Sequence, residues 1–227
     1  MITLIGYVFL SLLLVGGGIL LGAWRWRAIT PPPLRWPNGF MVVDCETTGL
    51  DCRTHSLISI GAIVPATGEE FYGECRVWPG AHVDAEAMEV NGESMDRLYD
   101  LDYQTEAELV REFVCWAQQQ GGRIIGGKNP GFDQGFLKAA WKRAHGDLLA
   151  AENRWPLSHR TICLHALAWG WALRHRPDLV DRDTIKSDDV YVAMGLSREV
   201  KPHRADTGAR HELEAFRFLL GRDGGVK

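Results

Sequence analysis

No two of the five cysteines (Cys45, Cys52, Cys75, Cys115 and Cys163) are spaced as C-x-x-C, and their number is odd. A disulfide framework or a cysteine-built zinc site is thereby disfavoured, and a reducing compartment favoured. The chain also lacks an excess of positive charge: 25 Lys and Arg stand against 29 Asp and Glu, a formal net charge of -4. The broad basic footprint of a nucleic-acid binder is therefore absent from the chain as a whole. No internal repeat and no low-complexity tract occurs, which argues against a repeat architecture or a long disordered tail.

The absence of charge is most pronounced at the start. Residues 1–24, MITLIGYVFLSLLLVGGGILLGAW, hold no charged side chain. About 20 apolar residues span a bilayer core as a helix. Trp24 and Trp26 fall where an aromatic belt would sit, and Arg25, Arg27 and Arg35 follow at once. The expectation is one N-terminal transmembrane helix over residues 1–27, with the rest of the chain in the cytoplasm by the positive-inside rule. A cleaved signal peptide is the weaker reading, because the n-region lacks Lys and Arg and the apolar run is too long. Gly18 and Gly22 form one G-x-x-x-G, a spacing that permits a homodimer but is equally tolerated in a lone helix. Residues 28–37, with the run TPPPLRWP, read as a short stiff linker.

What remains is ordinary globular material. About 190 residues follow the first segment, enough for one domain over residues 38–222 with a short tail at 223–227. Charge is uneven: residues 1–130 hold 9 Lys and Arg against 16 Asp and Glu, and residues 131–227 hold 16 against 13. GFMVVDCE (39–46), SLISIGAIVP (56–65) and EEFYGECRVWP (69–79) read as three strands in a meander, turning at ATG (66–68). QTEAELVREFVCWAQQQ (104–120) reads as an amphipathic helix with Leu109, Phe113 and Trp116 on one stripe. GRIIGG (122–127) predicts a short strand, and 131–144, 161–173 and 205–220 predict helices. Strands first, then helices alternating with strand, indicate an α/β domain around a mixed central sheet flanked by helices.

The chemistry starts in DCETTGL (44–50), at the end of the first apolar run. Residues i and i+2 of a strand face the same way, so Asp44 and Glu46 project together and Cys45 points to the opposite face. Two co-directed carboxylates make a hard oxygen site suited to Mg²⁺ or Mn²⁺. The glycine permits a sharp exit from the strand, and the hydroxyls of Thr47 and Thr48 can meet a ligand beside the metal.

DCETTGL, NPGFDQGFL (129–137) and HRADTGARHELEAF (203–216) together resemble, in order, the three motifs of the DEDDh 3′–5′ exonucleases. That family includes polymerase proofreading subunits, RNase T and oligoribonuclease. The likeness covers about residues 38–220 and implies an RNase H-like exonuclease domain. It implies Asp44, Glu46 and Asp133 as acids that hold two divalent ions about 3.5–4 Å apart, and His203 as general base. It also implies that Thr47, Thr48 and Leu50 hold the terminal nucleotide; Phe132 either touches a base or packs in the core. The implied partners are 3′ ends of single-stranded DNA or RNA, and the implied product is a nucleoside 5′-monophosphate.

The pattern breaks at one place. The family's third motif puts an aspartate five residues after its histidine, and here that position is Gly208. Glu212 lies one turn further along the same helix face and points back toward the N-terminus. Asp206 lies two residues earlier and would face about 160° away; Thr207 is a poor ligand. Glu212, Asp206 or water is thus the expected stand-in, with one of the two ions held weakly. A protein that has lost catalysis and binds nucleic-acid ends, or serves as a membrane-tethered scaffold, is the alternative reading. A scaffold gains nothing from three buried acids, which cost stability without a cation.

Overall fold

Among the described residues, β-branched and apolar runs come first in the chain and form strands. The computed structural model describes residues 35–146, 150, 154–180 and 186–220. Strands β1 (Phe40–Thr47), β2 (Leu57–Ile63) and β3 (Glu70–Glu74) pair antiparallel as the expected meander. Every residue of β2 is buried, as a near-continuous apolar run demands of an interior strand. Three helices follow: α1 (Ala85–Asn91), α2 (Met95–Leu98) and α3 (Glu106–Gln119). Thr105 and Glu108 cap α3 reciprocally, which fixes its start.

The chain then returns as β4 (Ile124–Gly127), parallel to β1, and continues into α4 (Pro130–His145). Strand β5 (Thr161–Cys163) lies parallel to β4 and leads into α5 (Leu164–His175). Helices α6 (Pro177–Val180), α7 (Ser187–Ala193) and α8 (Ala205–Leu219) complete the described chain. The sheet order is β3-β2-β1-β4-β5. The helix expected over 161–173 is therefore corrected: its first three residues are a strand. Thr161 and Ile162 are β-branched and find partners in Ile125 and Gly126, and pairing outweighs a helical pattern that begins properly at Leu164.

Alternation along β1 assigns the two sides of the sheet. Met41, Val43 and Cys45 pack with residues of α3 and α4, such as Phe113 and Phe136. Phe40 and Val42 pack with residues of α5, α7 and α8, such as Ala168, Tyr191 and Phe216. Asp44 and Glu46 continue the second series and so point to the side that α8 covers. Gly61 of β2 makes the close approach of α8 possible, because a Cβ there would run into the backbone of Ala205.

Among the described residues no helix is long and apolar enough to cross a membrane. The expected anchor (1–27), most of the linker and the tail lie outside the described residues.

Candidate active site

Strand β1 delivers its two acids at its carboxyl end, next to the parallel neighbour β4. The ladder to β4 ends at Val42, so the later N–H groups on that side are free for other partners. The Cys45 N–H donates to Asp133 Oδ1 at 3.0 Å. Asp133 reaches it because the chain turns sharply between β4 and α4. Asn129 sits there in the left-handed region (φ 60°), a conformation that asparagine tolerates better than most residues, and Pro130 opens the helix. Asp133 thus falls in the first turn of α4. A shift in the β1–β2 register between Glu46 and Thr47 lets the chain leave the sheet directly after the acids.

From the other side, α8 contributes Glu212, which is 6% exposed. Its Oε1 accepts the Lys128 N–H at 2.9 Å. Its Oε2 and Asp44 Oδ2 are buried with no hydrogen-bond partner among the described residues. The segment between α7 and α8 adds Glu199 and His203. His203 Nδ1 lies 3.6 Å from Glu199 Oε1, and Lys128 Nζ lies 3.9 Å from Glu199 Oε2. Glu46, Glu199 and His203 each offer one ligand atom within 4.8 Å of the others. The His203 N–H donates to Val90 O at 3.0 Å and anchors this segment on α1.

These groups line a cavity of about 500 Å³, together with Thr47, Leu50, Val90, Asn91 and Phe132. Its electrostatics are those of crowded acids. Burial lifts Asp44 well above the usual carboxylate range, and the charges of Glu212, Asp133 and Glu46 add to it. Burial, with Glu199 and Asp133 next, lifts Glu46 to about 8, against a lowering by Lys128. Burial lifts Asp133 to about 7, although its own N–H and that of Cys45 oppose the shift. Burial and then Asp133 raise Glu212 as well. Four acids so placed, with two orphaned oxygens among them, fit one or two hard divalent cations. The Cys45 thiol is pushed up by burial and by the same acids, which keeps it protonated and unreactive.

The sequence-derived residues distribute as follows. Asp44, Glu46, Asp133, His203 and Glu212 all line the one cavity. Thr47 lines it too, its hydroxyl donating to Gly49 O at 2.8 Å. Leu50 is 83% exposed at its rim. Phe132 combines both fates considered for it, lining the cavity and packing on Phe136 at 4.9 Å between ring centroids. Two expectations are corrected. The Thr48 hydroxyl is turned away, donating to His82 O at 2.6 Å and accepting the Ser56 N–H at 2.9 Å; it braces the loop. Asp206 faces outward, paired with Arg204 (3.2 Å) and Arg210 (2.9 Å), because two residues along a helix rotate the side chain off the Gly208 face.

Sequence reasoning missed Glu199, Lys128 and Asn91. Glu199 lies in a stretch without periodicity; its one signal is that it is the sole acid between Asp189 and Asp206. Asn91 donates to Thr47 O at 3.0 Å and holds the exit of β1. Also unforeseen is the brace behind the site. Buried Glu106 accepts the Leu57 N–H at 2.9 Å and pairs with Arg143 at 2.7 Å, and Arg143 donates to Cys52 O at 3.1 Å.

The geometry is that of an acid-lined site at the mouth of an RNase H-like sheet, and the comparisons agree. The family model described as Exonuclease (RNase_T) matches residues 41–162. The chain belongs to this exonuclease family. A curated relative, the PolC-type DNA polymerase III of Bacillus subtilis (strain 168), is 30% identical over 106 residues, 46% of this chain and 7% of that protein. E. coli Exonuclease I in complex with a dT13 oligonucleotide superposes with a TM-score of 0.64 at 16% identity, covering 82% of this chain and 41% of that one. Exonuclease I from Methylocaldum szegediense gives 0.61 at 19% identity, with the same coverage. The chain thus spans less than half the length of these relatives.

Proposed function

We propose that the protein is a metal-dependent 3′–5′ exonuclease acting on single-stranded nucleic acid, DNA first, and releasing nucleoside 5′-monophosphates. One observation carries this reading: Asp44, Glu46, Asp133 and Glu212 converge in one cavity without a cation among them sufficient to balance the charge. Asp44, Glu46 and Asp133 would hold the ions, Mg²⁺ or Mn²⁺, with Glu212 beside them. Two such ions, when bound, polarise the scissile phosphate and lower the pKa of water. His203 accepts the proton of the attacking water; a proton on Nδ1, facing Glu199, leaves Nε2 as the acceptor. Lys128 lines the cavity as a cation able to meet a phosphate, and Phe132 offers a face on which a base can stack. That Exonuclease I has been solved with a dT13 oligonucleotide supports DNA as the first substrate to try. The reading includes an anchor through residues 1–27, which places the domain on the cytoplasmic face of a membrane.

The test is digestion of 5′-labelled single-stranded DNA and RNA by the full chain in detergent, with Mg²⁺, Mn²⁺ or EDTA. A ladder shortening from the 3′ end, abolished by EDTA and by Asp44→Asn, is the expected result. No digestion with either metal would favour an end-binding protein instead.

A further inference from the structure

Gly208 is the third-motif position at which the family's pattern calls for an acid, and it faces Asp44. A Cβ built on it would overlap Asp44 Oδ2, would stand 2.9 Å from Asp44 Cγ, and would lie 3.3 Å from Glu199 Oε1. A carboxylate oxygen from elsewhere in the chain therefore already borders the space that a side chain at 208 would enter. We infer that Glu199 is the missing fourth acid: its carboxylate, delivered by the α7–α8 segment, ligates the divalent cation together with Asp44, Glu46 and Asp133. This rests on the reading of the cavity as a cation-dependent nuclease site.

Three further observations carry it. First, Glu199 is held in place. His203 N–H bonds to Val90 O (3.0 Å), Pro202 packs where Gly92 leaves room, and Ser197 O is bonded to His211 Nε2 (2.8 Å). Second, its side chain is only 13% exposed, yet its contacts with His203 and Lys128, at 3.6 and 3.9 Å, exceed hydrogen-bond distance. A carboxylate held by Lys128 and His203 at ion-pair rather than hydrogen-bond distance keeps lone pairs for a further ligand. Third, Asp44 and Glu212 line the same cavity, and each has one buried oxygen, Oδ2 and Oε2, without a hydrogen-bond partner among the described residues. Glu212 is the rival stand-in, but one of its oxygens is already committed to the Lys128 N–H at 2.9 Å. The glycine has a positive role here: any side chain at 208 would crowd the two carboxylates that meet in front of it.

The experiment measures Mn²⁺ affinity by calorimetry on the full chain in detergent, with thermal melting in EDTA to confirm folding. The variants are wild type, Asp44→Asn, Glu199→Gln, Glu212→Gln and the exchange Glu199→Ala with Gly208→Asp. Glu199→Gln should weaken binding by more than ~100-fold, beyond the ~10–100-fold that loss of an outer-shell partner causes. It should melt no lower than wild type in EDTA, because one repelling charge is gone. Glu212→Gln should weaken binding less, and the exchange should not restore what Glu199→Gln loses, because a Cβ at 208 displaces Asp44 Oδ2. Wild-type affinity in Glu199→Gln, with binding lost in Asp44→Asn, would overturn the assignment and leave the nuclease reading standing. Wild-type affinity in Asp44→Asn would remove the nuclease reading itself.

Discussion

The Cys45 N–H donates to Asp133 Oδ1 at 3.0 Å, across 88 residues of sequence. This bond joins the strand that carries Asp44 and Glu46 to the helix that carries the third acid. It makes Asp133 both a structural acceptor and a candidate ligand, and the two roles can be separated. Asparagine keeps an acceptor for the Cys45 N–H and lacks the charge. Asp133→Asn should therefore fold like wild type, while digestion falls by ~10³-fold or more, as the loss of several kcal/mol of transition-state stabilisation requires. Asp133→Leu removes the acceptor as well and should melt lower. Equal melting of the two variants would show that the bond contributes nothing to the fold.

The acid cluster makes a prediction for the protein in EDTA. Glu46 is raised from 4.5 to about 8 and Asp133 from 3.8 to about 7, with burial as the first cause in both. The folded state thus holds more protons than the unfolded state between those values. The stability that these groups contribute is complete below about pH 4 and is lost as pH rises through 7 to 8. The melting temperature in EDTA should fall from pH 5 to pH 8, and saturating Mg²⁺ should reduce the fall. Asp44→Asn should flatten the EDTA profile by removing one repelling charge. A wild-type profile that is level from pH 5 to 8 in EDTA would contradict the charge crowding described above.

The brace behind the site predicts stability rather than chemistry. Glu106 is 2% exposed and Arg143 closes on it at 2.7 Å. Removing the arginine leaves a buried carboxylate unpaired, a change that costs ~3–5 kcal/mol. Arg143→Met should lower the denaturant midpoint accordingly, and Arg143→Met with Glu106→Gln should recover part of the loss. A single variant as stable as wild type would mean that water reaches Glu106.

The uncharged run at residues 1–24 predicts membrane attachment. The full chain should stay in the pellet after carbonate extraction of membranes, and a chain beginning at residue 35 should be released. Full-length protein in the carbonate supernatant would exclude a spanning helix.

The sequence by itself determined much of this. The strands at 40–47 and 57–63, the amphipathic stripe of α3 and the co-directed pair Asp44 and Glu46 follow from local periodicity, which a single chain displays. The three motifs, in order, pointed to Asp133 and His203, which line one cavity with Asp44 and Glu46, and to Gly208 as the place where the resemblance breaks. Local signals could not settle the strand at 161–163, because three residues carry too little pattern and β5 exists through its pairing with β4. Nor could they direct the Thr48 hydroxyl, which turns to His82 because that backbone carbonyl is brought beside it by the fold. The tertiary structure alone decided what stands opposite Gly208. Glu199 has no helical or strand register that would mark it, and its carboxylate reaches the site only because its segment is pinned to α1 at Val90. Proximity between residues far apart in sequence is set by packing, and packing is not written in the period of any one segment.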